Sequence, residues 1–366
     1  MTASDRHPYR GPTVVAVAAA LAGVALYLVS SRMTLRLGFP LDDAWIHQTY
    51  ARNLALRGEW SFVPGAASGG STAPLWTLLL AIGAWLRLDP RPWAYLLGAA
   101  SLAGGAVLAV RLPRPGASAG SVWLVGLALL FAWEWHLVWA AASGMEVILL
   151  VALVVTILRL SLPIVRRPLL TGAVVGLAMW IRPDAVTLGL IPFLALLLQA
   201  GAPFRQRLIG LAWLALGAGL AAAPYLFFNV RTAGTLWPST FYAKRAEYAE
   251  LRRAGYGLRY AQLMVAPLTG SGLLLLPGVI VATAQTVRQR RWAELAPVVW
   301  AALYLAIFAA WLPVAYQHGR YQMPVLPVLI VVGWQGIHTC VKAAAKAPWR
   351  VLARAWALAT LAVTLA

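Results

Sequence analysis

The chain has 366 residues, 61% of them hydrophobic, and its 30 Lys and Arg outnumber its 11 Asp and Glu to give a formal net charge of +19. A mean hydropathy of +0.74 excludes an ordinary soluble enzyme and indicates a polytopic membrane protein. The basic residues punctuate apolar runs, as topology determinants do, so nucleic acid is not an expected partner. The lone Cys340 excludes an internal disulfide.

The first apolar run, 13–31, contains no charged residue and is long enough to cross about 30 Å of hydrocarbon. Its length, and a sequence without a clear small-residue cleavage site, favour an uncleaved anchor over a signal peptide. Later apolar runs bring the expected number of membrane-spanning helices to about eleven. We therefore predict an all-α polytopic bundle over residues 1–366, with a first outer loop at 32–92 and the remaining spans at 93–366.

Short basic links between the later runs are expected to face the cytoplasm. For all of them to share one side, the short Trp-rich run 74–88 must lie at the interface or re-enter the membrane instead of crossing it. The loop 229–259 is then outside although it carries six basic residues, which suggests an anionic ligand. The links are Arg111/Arg114, Arg159/Arg166/Arg167, Arg205/Arg207, Arg288/Arg290/Arg291 and Lys342/Lys346/Arg350.

The loops assigned to the outer face hold most of the acidic and polar residues. Acids and cations from five separate loops are therefore expected to meet at one interface, as transfer of a phosphate-activated group would require. Interfacial helices in the first outer loop would present the acidic pair just above the bilayer. The candidate site residues are Asp42, Asp43, Tyr50, Arg52, Glu146, Arg182, Asp184, Lys244, His318 and Arg320.

Several of these residues also have a plain structural explanation. Asp42 opens a helical run, so it can be an N-cap, with Asp43 favoured by the helix dipole. Glu146 suits a helix N-terminus for the same reason. Arg182 and Asp184 can form a local ion pair across the intervening proline. A capping carboxylate can also bind a ligand, so the structural and functional explanations are compatible.

Lys244 and Arg320 are the predicted phosphate ligands, because Arg binds oxygens bidentately and Lys supplies a point charge. Interfacial anchoring is the alternative for Lys244. His318 would project with Arg320 in an extended segment and diverge from it on a helix. His47 lies four residues after Asp43, a spacing that permits a side-chain pair on one helix face.

No cofactor is certain from the sequence. A divalent cation (Mg²⁺, Mn²⁺ or Ca²⁺) is a candidate, held by Asp42, Asp43 or Glu146, because carboxylates suit hard cations. The sequence has neither a Walker A motif nor a dinucleotide-binding glycine motif, so nucleotide-driven pumping is not supported.

Motifs in a fixed order resemble the GT-C superfamily of membrane glycosyltransferases, and within it arabinofuranosyltransferase B-like bacterial proteins. The motifs are distributed over most of the chain. They are Asp42-Asp43, Tyr50-Ala51-Arg52-Asn53-Leu54, Gly58, Trp60, Pro64-Gly65, Gly70-Ser71-Thr72 before Leu75-Trp76, Ser143-Gly144-Met145-Glu146, Arg182-Pro183-Asp184, Pro238-Ser239-Thr240-Phe241-Tyr242-Ala243-Lys244, and Arg320-Tyr321 with Pro324.

The resemblance implies transfer of a sugar from a polyprenyl-phosphate donor to a glycan, lipid or protein acceptor, on the outer face of a bacterial cytoplasmic membrane. It assigns Asp42 as the base, with Asp43 orienting it or binding a cation. Lys244 and Arg320, helped by Arg182, would stabilise the leaving phosphate, and Glu146 would hold the sugar or a metal. Membrane lipids would surround the protein, and the remaining candidates would contact substrate.

A transporter or flippase for a lipid-linked or anionic solute is the alternative. Transporters place polar groups near the bilayer midplane on broken helices, often within repeated halves. The polar groups of this chain lie instead in the outer loops, which favours the enzyme.

Overall fold

The computed structural model describes residues 9–112, 120–162, 165–345 and 347–366. Arg114 and Lys346, two of the predicted topology determinants, lie outside these residues. Within the described ranges the regular secondary structure is helical except for one small hairpin, which confirms the all-α prediction. The α-helices are α1 (Arg10–Thr34), α2 (Asp42–Arg57), α3 (Pro74–Trp85), α4 (Pro90–Val110), α5 (Ser121–Ala132), α6 (Trp135–Ala142), α7 (Val147–Ser161), α8 (Pro168–Met179), α9 (Leu190–Leu197), α10 (Phe204–Ala233), α11 (Ser239–Glu247), α12 (Tyr256–Leu268), α13 (Ser271–Arg288), α14 (Ala296–Trp311), α15 (Leu326–Ala343) and α16 (Arg350–Leu365).

Short elements connect these helices. Two strands, β1 (Ser61–Val63) and β2 (Ala66–Ala67), pair antiparallel in the loop after α2. The 3-10 helices of the described residues are Pro183–Gly189, Glu250–Arg253, Trp292–Leu295, Gln317–Gly319 and Met323–Val325.

The predicted count of about eleven spans is not confirmed. By length and composition, six helical segments of the described chain can cross a membrane, and α5 with α6, bent by 52°, would make a seventh. The apolar helices α3, α7, α8 and the segment Pro183–Leu197 are shorter. The six segments are Arg10–Thr34, Pro90–Val110, Phe204–Ala233, Ser271–Arg288, Trp292–Trp311 and Gln317–Ala343.

The helix α3 agrees in length with an interfacial or re-entrant segment. It has 12 residues, and a rise of 1.5 Å per residue makes it about 18 Å long, well short of the hydrocarbon core. The sidedness of the basic links remains a prediction.

Glycines allow neighbouring helices to approach closely. A Cβ on Gly172 or Gly176 of α8 would collide with the backbone of α10, and a Cβ on Gly278 of α13 would meet the backbone of Gly333 on α15. Small residues four apart are typical of such contacts in membranes, where packing replaces the hydrophobic effect as the force between helices.

The first loop is folded onto the helical bundle by polar contacts. The helical run predicted after the acidic pair extends from Asp42 to Arg57 and ends at Gly58, whose φ of +69° is left-handed. The side-chain amide of Asn53 donates to the carbonyl of Ser61 (2.9 Å), which holds the hairpin against α2. The indole of Trp76 on α3 donates to the carbonyl of Gly144 (3.0 Å). The acidic start of α2 is thereby held beside the turn that precedes α7.

Candidate active site

A cavity of about 450 Å³ lies between the start of α2, the turn before α7, the segment after α8, helix α11 and the segment before α15. One wall is apolar and is formed by Ile307, Phe308 and Trp311 of α14 together with Phe241. Other lining residues are charged. A cavity with these two parts suits a ligand that has an anionic group and a hydrocarbon portion. Its polar lining residues include Asp43, His47, Thr72, Glu146, Arg182, Asp184, Thr240, Lys244, Arg245 and Arg320.

Asp43 is the carboxylate on which two cations converge. The Oδ2 atom of Asp43 accepts a hydrogen bond from Nη1 of Arg320 and lies 3.8 Å from Nζ of Lys244. Burial alone would raise the pKa of Asp43, but the positive charges of Lys244 and Arg320 outweigh it and hold this pKa below its ordinary value. Asp43 is therefore ionised at neutral pH.

Asp42, the predicted base, is exposed and does not line the cavity. It is the first residue of α2, and its Oδ1 atom accepts a hydrogen bond from the backbone N–H of Asp43 (3.0 Å). Its carboxylate thus satisfies an amide at the helix start, but as the first residue of the helix and not as the predicted N-cap. The residue in the cap position itself is Leu41.

Glu146 and Arg182, which are buried, form one network with the half-buried Asp184. The Oε1 atom of Glu146 lies 3.9 Å from Nη1 of Arg182, and Nε of Arg182 donates to Oδ1 of Asp184 (3.0 Å). The hydroxyl of Tyr304 donates to the other oxygen of Asp184 (2.8 Å). The expected Arg182–Asp184 pair is therefore present, and it fixes an arginine at the cavity wall.

His47 is a site residue whose partners the sequence did not reveal. Its Nε2 atom lies 3.4 Å from Oε2 of Glu146, and its Nδ1 atom is hydrogen-bonded to Ser71 (2.9 Å), which is bonded in turn to Thr77 (2.8 Å). The four-residue spacing from Asp43 suggested a pair with that aspartate. The partner is Glu146 instead, because α2 faces the turn before α7, a contact that no local sequence pattern encodes.

Three predicted substrate-binding residues do not line the cavity. The buried hydroxyl of Tyr50 accepts a hydrogen bond from the N–H of Gly70 (2.9 Å), so Tyr50 shapes the loop that reaches the cavity. Arg52 is exposed on α2. His318 is exposed and stacks on Trp139 with ring centroids 4.5 Å apart. His318 has a left-handed φ of +57°, so the segment that joins it to Arg320 follows neither the extended nor the helical alternative.

The carboxylates of the cavity are already paired with side-chain cations or His47. The described residues contain no group of three or more His, Cys, Asp or Glu side chains that could hold a metal ion. Asp43 is held by Lys244 and Arg320, and Glu146 by His47 and Arg182. This arrangement does not fit a divalent cation, and a cation requirement remains a prediction from the sequence.

No protein-family model matches the chain, and no curated protein matches it. Among solved structures, it is similar to ArnT from Cupriavidus metallidurans bound to undecaprenyl phosphate, with a TM-score of 0.64 and 17% sequence identity. The match covers 100% of this chain and 70% of the ArnT chain. At this identity the comparison shows a shared fold. The likeness to arabinofuranosyltransferase B-like proteins remains a prediction from the sequence.

Proposed function

We propose that the protein is a membrane glycosyltransferase that takes a sugar from a polyprenyl-phosphate donor and transfers it to an acceptor hydroxyl. The observation that carries the proposal is the convergence of Lys244 and Arg320 on Asp43 in a cavity with an apolar wall. The fold is shared with ArnT, whose structure contains undecaprenyl phosphate. The sugar and the acceptor class (glycan, lipid or protein) are open within this proposal.

The donor phosphate binds to Lys244 and Arg320 in the proposed complex. Both cations now compensate Asp43, so the phosphate replaces the carboxylate as their partner. Arg320 is 3% exposed, and a guanidinium held in a largely dry site binds phosphate oxygens more strongly than one in water. The apolar residues of α14 then accept the first isoprene units of the lipid.

Asp43 is the proposed base, in place of Asp42. The acceptor oxygen forms a bond to the anomeric carbon as the bond from that carbon to the phosphate oxygen breaks. The hydroxyl proton passes to the Asp43 carboxylate, and polyprenyl phosphate leaves with its charge balanced by Lys244 and Arg320. The transition state has oxocarbenium character, so the acceptor hydroxyl loses its proton late in the reaction. A carboxylate is therefore a strong enough base.

Glu146 and Asp184 act as positioning residues in this proposal. They hold Arg182 from two sides, and its guanidinium lies 5.0 Å from the ring centroid of Tyr321. Arg182 thus supplies a fixed positive charge beside the phosphate site. Because it does not rearrange during the reaction, it stabilises developing negative charge without a reorganisation cost.

We place the cavity at the outer face of a bacterial cytoplasmic membrane. This placement is supported by the short basic links, because such links usually face the cytoplasm and these lie at the other ends of the helices. The donor reaches the cavity laterally through the bilayer, and its sugar–phosphate bond supplies the energy of transfer.

The transport alternative predicts a polar group that is free to bind a ligand at the break of a helix. The break between α5 and α6 does carry a buried acid, Glu134. Its carboxylate accepts from the N–H of Leu137 (3.0 Å) and pairs with His136 (2.7 Å), so it caps α6. This break therefore offers no unpaired ligand group of the kind that transporters use.

The test compares two adjacent carboxylates. The purified full chain in lipid nanodiscs is incubated with a cell-envelope extract of the source cells, which supplies both polyprenyl-phosphate sugars and acceptors, and mass spectrometry follows the release of polyprenyl phosphate. Asp43→Asn should lower the rate at least about a hundredfold, as expected for loss of a general base. Asp42→Asn, the same change one residue away, should retain activity. Equal rates for Asp43→Asn and wild type would refute the assignment.

A further inference from the structure

A second cavity of about 480 Å³ lies at the far end of α15 from Arg320. It is enclosed by the last turns of α7, α13 and α15 and by the starts of α5 and α14. The distance from Leu326, where α15 begins, to His338 on the cavity is about 18 Å along the helix axis. This end carries the basic links expected to face the cytoplasm, so the cavity is separate from the proposed active site.

The lining combines an apolar wall with an aromatic and basic row. Trp334, His338 and Lys342 recur every fourth residue of α15, so they share one helix face. The ring of Trp123 packs on Trp334 (4.7 Å between centroids) and on His338 (4.5 Å). Leucine side chains, among them Leu124, complete the wall. The polarity therefore rises along α15 toward the basic end of the bundle.

Three polar atoms of this lining are buried without a hydrogen-bond partner in the described chain: Thr283 Oγ1, His338 Nε2 and Arg291 Nε. A buried polar atom left unpaired is destabilising, because it has lost its hydrogen bonds to water. Three such atoms around one cavity, two of them nitrogen atoms of basic side chains, indicate that the cavity is built to hold an acceptor-rich polar group.

The charged side chains of the lining favour an anionic group. Arg291 and Lys342 contribute two positive charges, and Glu294, whose Oε2 lies 3.1 Å from Nη1 of Arg291, contributes one negative charge. Cationic side chains thus outnumber the acidic one in this lining. A phosphodiester carries the opposite charge, and its oxygens can accept from Thr283 and Arg291.

We propose that this cavity binds one anionic phospholipid, with its phosphodiester at Arg291 and Thr283 and an acyl chain along the leucine wall. The anionic lipids of a cytoplasmic leaflet are drawn to basic pockets between transmembrane helices. The bound lipid would join the ends of α13 and α15 to the loop that carries Arg291. The cavity thus holds a structural lipid, distinct from the donor.

The test measures lipid binding to the full chain in detergent by native mass spectrometry and by the rise in melting temperature. The probes are phosphatidylglycerol, zwitterionic phosphatidylcholine, and undecaprenyl phosphate. Phosphatidylglycerol should bind about tenfold more tightly than phosphatidylcholine, and Arg291→Gln should weaken it about tenfold, the factor expected when a charge-assisted hydrogen bond is lost. Arg288→Gln is the matched control, because Arg288 is exposed at the same end and does not line the cavity.

Thr283→Val keeps the shape of the side chain, removes one donor, and should weaken phosphatidylglycerol binding even if Arg291→Gln does not fold. Equal effects of Arg291→Gln and Arg288→Gln would overturn the site. Indifference to the charge of the phospholipid would also overturn it. Tighter binding of undecaprenyl phosphate, sensitive to Arg291→Gln, would overturn the phosphodiester assignment.

Discussion

The substitution Lys244→Gln tests the phosphate site through binding alone. The ammonium group lies 3.8 Å from Asp43 and its side chain is 28% exposed, so its interaction with a phosphate is partly screened. A hydrogen bond to a charged group contributes about 1.5–3 kcal/mol, and 2 kcal/mol corresponds to about thirtyfold in Kd. We therefore expect undecaprenyl phosphate to bind the variant about thirtyfold more weakly than it binds the wild-type chain.

The measurement is a titration of the purified protein with undecaprenyl phosphate, followed by native mass spectrometry or intrinsic Trp fluorescence. Arg52→Gln provides a matched control, because it removes one positive charge from an exposed position that does not line the cavity. It should leave Kd within about twofold of wild type. An unchanged Kd for Lys244→Gln, or an equal loss for Arg52→Gln, would refute the reasoning.

Three further results follow from the site and the packing. Lys244 and Arg320 lower the pKa of Asp43, so in the pH profile of kcat/KM, activity should fall off on the acid side below the usual pKa range of a carboxyl group. Lys244→Gln should move this acid limb to higher pH. A limb that does not move would show that another group titrates. Glu146→Ala leaves Arg182 without one of its buried partners and should cost about 3 kcal/mol, seen as a lower melting temperature, whereas an unchanged melting temperature would contradict the ion network. Gly172→Val should abolish folded protein in size-exclusion chromatography, because a Cβ there meets the α10 backbone, while Gly104→Val, with open space around it, should not; equal yields would contradict the packing.

Much of the fold could be predicted from local patterns. The helix after the acidic pair and the short helix at 74–85 followed from apolar spacing and proline positions. The number of spans is not settled by hydropathy, because α7, α8 and α9 are apolar enough to be counted as spans but have only 15, 12 and 8 residues. Hydropathy registers whether a segment avoids water. It does not distinguish burial in lipid from burial in protein.

The candidate site was predictable in composition more than in geometry. The assignment of loops to the outer face predicted that Asp43, Glu146, Lys244 and Arg320 lie together. All four line the cavity. The choice between Asp42 and Asp43 could not be made, because adjacent helical residues point about 100° apart and only the orientation of α2 decides which one faces the cavity.

The partners of His47 were equally hidden from the sequence. Its pairing with Glu146 joins segments that are 99 residues apart (146 − 47) and depends on how α2 packs against α3 and the turn before α7. Such long-range contacts leave no periodic signal in a single sequence.

A structure of the full chain with undecaprenyl phosphate, determined by cryo-electron microscopy in nanodiscs, tests the central claim most directly. The account predicts the phosphate within about 3 Å of Lys244 Nζ and of the Arg320 guanidinium, with the Asp43 carboxylate displaced from both and facing an open space for the acceptor. A phosphate bound elsewhere while the Asp43–Arg320 contact stays intact would contradict it.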